Sequence, residues 1–157
     1  MIIQSGEYTL HFVDGGLRVL RGDALRCFNR RPMYAFIKTA LSITEFYDAP
    51  YEKVSQAGQT VTAGGVLRSP TGSELAFQDT YEAADTGFKV SRSVKVLKNV
   101  DDYGFATKFS LVLAPSEEIR DYDYFAPANW YKLNEYAKPH VMGFDLDCEY
   151  FWRREVN

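Results

Sequence analysis

A chain of 157 residues is long enough for one domain with its own core and barely enough for two. Its 46% hydrophobic and 25% charged residues match an ordinary globular protein, and a formal charge of −3 argues against nucleic acid, whose phosphates need clustered Lys and Arg. The basic clusters, Arg26, Arg30, Arg31 and later Arg153, Arg154, are too short for such a surface, and no apolar run is long enough to span a membrane.

The dominant hydrophobic period along the chain is two, the period of strands. Glu7–Val13 and Leu17–Arg21 flank Asp14-Gly15-Gly16, so a tight hairpin is predicted, with Tyr8, Leu10 and Phe12 on one face. Residues 22–65 read as a loop-rich region with short strands. Within it Asn29-Arg30-Arg31-Pro32 is a turn. Met33–Ile43 is apolar with a mixed pattern that fits a strand, two short strands or a helix. Beyond Val66 the signal sharpens. Ser69-Pro70-Thr71-Gly72 is a turn, and Glu74–Glu82 is a strand with Leu75, Phe77, Asp79 and Tyr81 on one side. After the turn Ala84–Gly87, a second strand places Phe88, Val90, Val94 and Val96 inward and Lys89 and Lys95 outward. Arg92 falls on the inward side, where burial would demand a partner. Asn99–Gly104 turns again, and Phe105–Leu113 is expected to be the third strand of a meander.

Past Pro115 the pattern changes. Ser116-Glu117-Glu118 can open a short helix, Arg120–Tyr136 is dense in Tyr, Asp, Phe and Trp, and residues 141–152 alternate once more. Many short strands with turns every eight to twelve residues imply an all-β antiparallel sandwich or barrel, here one domain over 1–157 with little helix.

Few residues carry a chemical signature. Nucleophile elbow, phosphate loop, dinucleotide loop and zinc-protease helix motifs are all absent, and no cofactor is implied. His11 and His140 lie far apart, and His11 reads as a half-exposed strand residue. Cys27 and Cys148 are too few and too distant for a metal ribbon. Two reduced thiols are favoured over one disulfide. Asp145, Asp147 and Glu149 share a strand face and can attract a hard cation, yet a solvated face explains them as well. Asp121 and Asp123 are a carboxylate pair of the type that hydrolyses glycosides, and a solvated loop is again the simpler account. No basic start or apolar stretch follows Met1, so a cytoplasmic chain is the default expectation.

Aromatic residues reach 15%, and they concentrate in one segment. Tyr122, Tyr124, Phe125, Trp130, Tyr131 and Tyr136 are mixed there with Asp121, Asp123, Asn129 and Lys132. Rings pack on the C–H faces of sugars while amides and carboxylates meet the hydroxyls, so Tyr122, Tyr124, Asn129, Trp130, Tyr131 and Trp152 are candidates for a carbohydrate or domain interface.

Three stretches, Asp79-Thr80-Tyr81-Glu82, Gly87–Arg92 and Tyr103–Phe109, resemble the meander in N-terminal β-sandwich domains of bacterial six-hairpin (α/α)₆ glycosidases. Phe125–Tyr131 and Phe151–Glu155 are similar to segments that precede the helical toroid in that family. The resemblance spans about the second half of the chain. It implies a supersandwich of the galactose-mutarotase kind and a role without catalysis, since that family's acids lie on the toroid. The expected partners are a helical catalytic domain of the same polypeptide and an oligo- or polysaccharide, and the abrupt end at Arg153–Asn157 suits a domain cut from a longer chain. The alternatives are a free-standing carbohydrate-binding module and a small glycosidase using loop carboxylates.

Overall fold

The computed structural model of the chain describes residues 1–39 and 44–117 and two further short strands, and it divides into compact units Met1–Ala114 and Pro115–Asn157. In chain order the first unit forms β1 (Ile2–Ser5), β2 (Tyr8–Val13), β3 (Gly16–Arg21), β4 (Ala24–Asn29), β5 (Met33–Thr39), β6 (Thr44–Ala49), β7 (Lys53–Ala57), β8 (Thr60–Arg68), β9 (Glu74–Ala84), β10 (Gly87–Lys98), β11 (Asp102–Ala106) and β12 (Val112–Leu113). The second unit contributes β13 (Phe125–Ala126) paired with β14 (Asn129–Trp130).

Every described pairing is antiparallel, and the described residues contain no helix. The first unit holds a five-stranded sheet in the order β1-β2-β3-β4-β12, a four-stranded meander β10-β9-β8-β7, and a three-stranded sheet β11-β5-β6. The result is the expected all-β, sandwich-like architecture. The first hairpin forms as its turn residues dictate: Asp14 and Gly15 take φ of 51° and 73°, the left-handed pair that matches strand twist.

The core lies between inner faces set by alternation. Ile3, Leu10, Phe12 and Leu17 come from the five-stranded sheet, Met33, Ala35 and Ile37 from β5, and Val61, Leu67, Leu75, Phe77 and Tyr81 from the meander. Phe12 meets Tyr81 edge-on with ring centroids 4.9 Å apart. Glutamine amides stitch one sheet edge to the meander. Gln56 accepts from the Ile2 amide at 3.2 Å and donates to the Ile2 carbonyl at 2.8 Å, and Gln59 accepts from the Gln4 amide at 3.2 Å. These side chains stand in for a neighbouring strand along β1, whose backbone groups would otherwise be open to pairing with another chain.

Three expectations need correction. Residues 22–65 hold the expected short strands, β4, β5, β6, β7 and part of β8, but strands rather than loops make up most of the described stretch, and Met33–Thr39 takes the strand among the readings its pattern allowed. The third strand of the expected meander leaves that sheet. Asp101 adopts a φ of 56°, Asp102 is pinned at the neighbouring turn, and β11 pairs with β5 instead of β10, ending at Ala106. Val90 and Val96 lie on the inward side of β10 yet are exposed, because β10 is the edge of its sheet and no further strand among the described residues pairs with it. The true meander is one strand earlier, β7 to β10.

At Gly64 a Cβ would overlap the Phe77 carbonyl oxygen across the ladder, so the strand pair closes there only with glycine. Gly64→Ala is expected to destabilise the unit by about 1–3 kcal/mol through forced backbone movement, read as a lower urea midpoint.

Candidate functional site

The sequence places Asp79 and Arg92 on inward faces, and the register makes them direct cross-strand partners. Asp79 is fully buried and the Arg92 side chain is 10% exposed. Asp79 accepts from Arg92 Nε at 2.7 Å and Nη2 at 2.5 Å, and also from the Tyr51 hydroxyl. Arg92 spends its remaining donors on the Pro32 carbonyl at 2.8 Å, Thr107 Oγ1 at 3.0 Å and the Lys108 carbonyl at 2.7 Å. All five guanidinium N–H groups are thereby used. The Tyr51 and Tyr81 hydroxyl oxygens lie 2.5 Å apart. Burial pushes both phenols well above the usual tyrosine range. This carboxylate is neutralised, satisfied and shut from solvent, so it serves as structure: with Arg92 it ties β9 and β10 to the chain entering β5 and leaving β11.

A second buried carboxylate is spent in the same way. Asp102 accepts from Ser73 Oγ at 2.6 Å and Thr71 Oγ1 at 2.8 Å, while Ser73 Oγ accepts from the Val100 amide at 3.0 Å. The network fastens the β8–β9 turn to the segment entering β11. Among the described residues no group of three His, Cys, Asp or Glu side chains converges as metal ligands.

The feature with binding chemistry is the outer face of β11-β5-β6. On β5 the residues Met33, Ala35 and Ile37 are buried, which turns Tyr34, Phe36 and Lys38 outward. Phe36 pairs directly with Phe46 of β6, and the two rings meet at 4.4 Å and 85°. Tyr34 joins them, 6.1 Å from Phe46. Phe36 is 37% and Phe46 58% exposed. Polar groups rim this patch. Lys108 Nζ stands 4.9 Å from the Tyr34 ring centroid. Arg31 Nε donates to Asp48 Oδ1, and its Nη2 donates to the Asp48 carbonyl at 2.6 Å. Partial burial, assisted by the Asp48 carboxylate, raises the Tyr34 phenol above its ordinary value, so it stays a neutral donor and acceptor. Three clustered rings, tilted or edge-on to one another, with a charged rim and held on a paired sheet, make an aromatic patch on this face. An open, shallow hollow of about 310 Å³ is also lined by Lys53, Thr62, Gly64 and Gln78.

The sequence-predicted site residues fall elsewhere. Tyr122, Tyr124, Tyr131 and Trp152 lie outside the described residues, as do Asp121, Asp123, His140, Asp145, Asp147, Cys148 and Glu149. Asn129 and Trp130 are described by backbone alone, where β14 pairs Trp130 with Phe125 and Asn129 with Ala126. Ser116 sits in a turn, and the expected helix from Glu118 onward is again outside the described residues. His11 is half-buried on β2, as expected. The Tyr34–Phe36–Phe46 face was missed. A signal existed: Tyr34, Phe36 and Lys38 alternate with Met33, Ala35 and Ile37, but apolar residues on both faces hide the period.

Comparison with protein-family models, with curated proteins and with solved structures finds no match to this chain. The fold alone therefore gives its class, an all-β antiparallel sandwich-like protein. The described residues contain no helix long and apolar enough to cross a membrane.

Proposed function

We propose that this chain is a non-catalytic β-sandwich module that holds carbohydrate on the outer face of β11-β5-β6. The exposed Tyr34–Phe36–Phe46 cluster carries the reading. Apolar rings left in water are costly unless something covers them, and a sugar's C–H face fits a ring while its hydroxyls reach Asp48, Arg31 and Lys108. The resemblance to N-terminal domains of six-hairpin glycoside hydrolases supplies the setting, a multidomain enzyme whose toroid cuts the polymer this module helps to present.

The test is titration of the full chain against neutral α-glucan, β-glucan, xylan, mannan and galactan. Phe46→Ala is expected to weaken binding roughly tenfold or more, the loss of about 1.4 kcal/mol of ring contact. Its unfolding midpoint is expected to stay close to that of the parent, since the ring is mostly exposed. Absence of binding across the panel, or an unaltered Phe46→Ala titration, would remove the reading.

A second reading, packing against the helical catalytic domain, is favoured by another observation. Phe109, Leu111 and Val112 are all exposed within four residues, an apolar strip of the kind a neighbouring domain covers. It predicts that a helical domain supplied in trans, and not a glycan, protects these residues from proteolysis.

A further inference from the structure

The outer face of the five-stranded sheet carries a cross-strand row that neither the core nor the aromatic face uses. Ile2 pairs with His11, His11 with Arg18, Arg18 with Phe28 and Phe28 with Val112. Ile2, His11 and Arg18 turn outward because their chain neighbours Ile3, Leu10 and Leu17 are buried, and direct cross-strand pairing puts the half-buried Phe28 and the exposed Val112 on the same face. Ile2 and Val112 at the two ends are 52% and 57% exposed. Arg18 is exposed, and its side chain makes no hydrogen bond or ion pair among the described residues. Arg30 sets a second guanidinium 5.6 Å from the Phe28 ring centroid. The row contains no carboxylate, and nearby Glu7 is taken by Arg21 at 2.9 Å.

We propose that this row binds an acidic polysaccharide, a polyuronate chain lying across the strands. A guanidinium fork matches a carboxylate in shape and charge, and Arg18 has one to offer in a chain whose formal charge is −3. The Phe28 ring lies in the same line to meet a sugar face, and His11 adds a hydrogen-bonding ring on the other side of Arg18. Strand spacing of about 4.8 Å fixes these groups at regular intervals on a rigid support. An acidic peptide fits less well. β2 and β3 are central strands with both neighbours in place, so their backbone has no open edge to offer an extended chain. The proposal extends the carbohydrate reading to a charged polymer on a different face, so each can fail without the other.

The full chain is titrated with polygalacturonate at low salt, beside neutral galactan and polyglutamate. Binding is expected for polygalacturonate and is expected to weaken as salt is raised. Arg18→Glu should reduce its affinity roughly tenfold or more, by replacing attraction with repulsion. Phe28→Ala should also weaken it. Phe46→Ala should not, and neither should the pair Lys89→Gln with Lys95→Gln, which removes two positive charges from β10. Circular dichroism and thermal unfolding of Arg18→Glu should match the parent, since the side chain is exposed. No polygalacturonate binding by the parent chain, or equal binding by Arg18→Glu, would overturn the proposal. So would an equal loss in the lysine pair, which would mean diffuse charge. Dependence on Phe46 would place the polymer on the aromatic face instead, and polyglutamate binding of equal strength with the same Arg18 dependence would make the partner an acidic protein; either result overturns it.

Discussion

Replacing Arg92 by methionine is expected to lower the unfolding free energy by about 3–5 kcal/mol, because the change leaves the Asp79 carboxylate buried without its cation. The guanidinium also carries three hydrogen bonds to Pro32, Thr107 and Lys108, so the substitution releases the chain where it enters β5 and leaves β11. Its Cζ lies 5.1 Å from the Phe77 ring centroid, and methionine keeps part of that packing without the charge. The double variant Asp79→Leu with Arg92→Met is expected to recover much of the loss, since a buried ion pair replaced by apolar groups of similar size is often close to neutral. Urea denaturation of the two single variants and the double variant completes the cycle. A loss below about 1 kcal/mol in Arg92→Met would mean that the pair is solvated and does not organise the sheets.

This pair shows how far the sequence could be read. Period two put Leu75, Phe77, Asp79 and Tyr81 on one side of a strand, and the burial of all four bears that out. The same period put Arg92 inward and demanded a partner. It could not name Asp79, because the partner follows from hairpin register, which the Gly87↔Ala84 turn sets in space. Register also explains the misplaced third strand. Phe105 is partly buried against the core, as its alternation suggested, but it lies beside Ile37 rather than beside β10. The redirection comes from Asp102, whose hydroxyl partners sit about thirty residues earlier, a long-range contact that local pattern does not encode.

The candidate site was less legible. The aromatic-rich segment after Arg120 drew attention by density, whereas the rings that the structure gathers are spread over Tyr34, Phe36 and Phe46 on two strands. Each alone is an ordinary strand residue. Only the pairing of β5 with β6 puts Phe36 against Phe46, and only the burial of Met33, Ala35 and Ile37 shows which face is left outside. The basic row follows the same logic. Arg26, Arg30 and Arg31 were visible as a cluster, yet Arg18 and His11 join Phe28 across strands, seven to seventeen positions apart in sequence.

Stability is expected to fall steeply as pH rises above about 10, the point at which an unfolded tyrosine loses its proton. Burial raises the Tyr51 and Tyr81 phenols above that value in the folded chain, so the native state holds two protons that the unfolded state releases. Above the unfolded value the unfolded chain binds fewer protons, and each tyrosine then costs roughly 1.4 kcal/mol per pH unit. Below it both states carry the proton, and these residues add no pH dependence. Ionising Tyr51 inside the fold would set a phenolate against the Asp79 carboxylate it now donates to, so unfolding is the easier route for the proton to leave. Tyr81→Phe separates this effect from general alkaline damage. It removes one of the two protons while leaving a ring to pack on Phe12, and the slope of stability against pH is expected to fall by about half. Urea midpoints taken between about pH 8 and about pH 11 report both slopes directly. A midpoint that stays level from about pH 10 to about pH 11, or an equal slope in Tyr81→Phe, would show that these hydroxyls reach water in the folded chain.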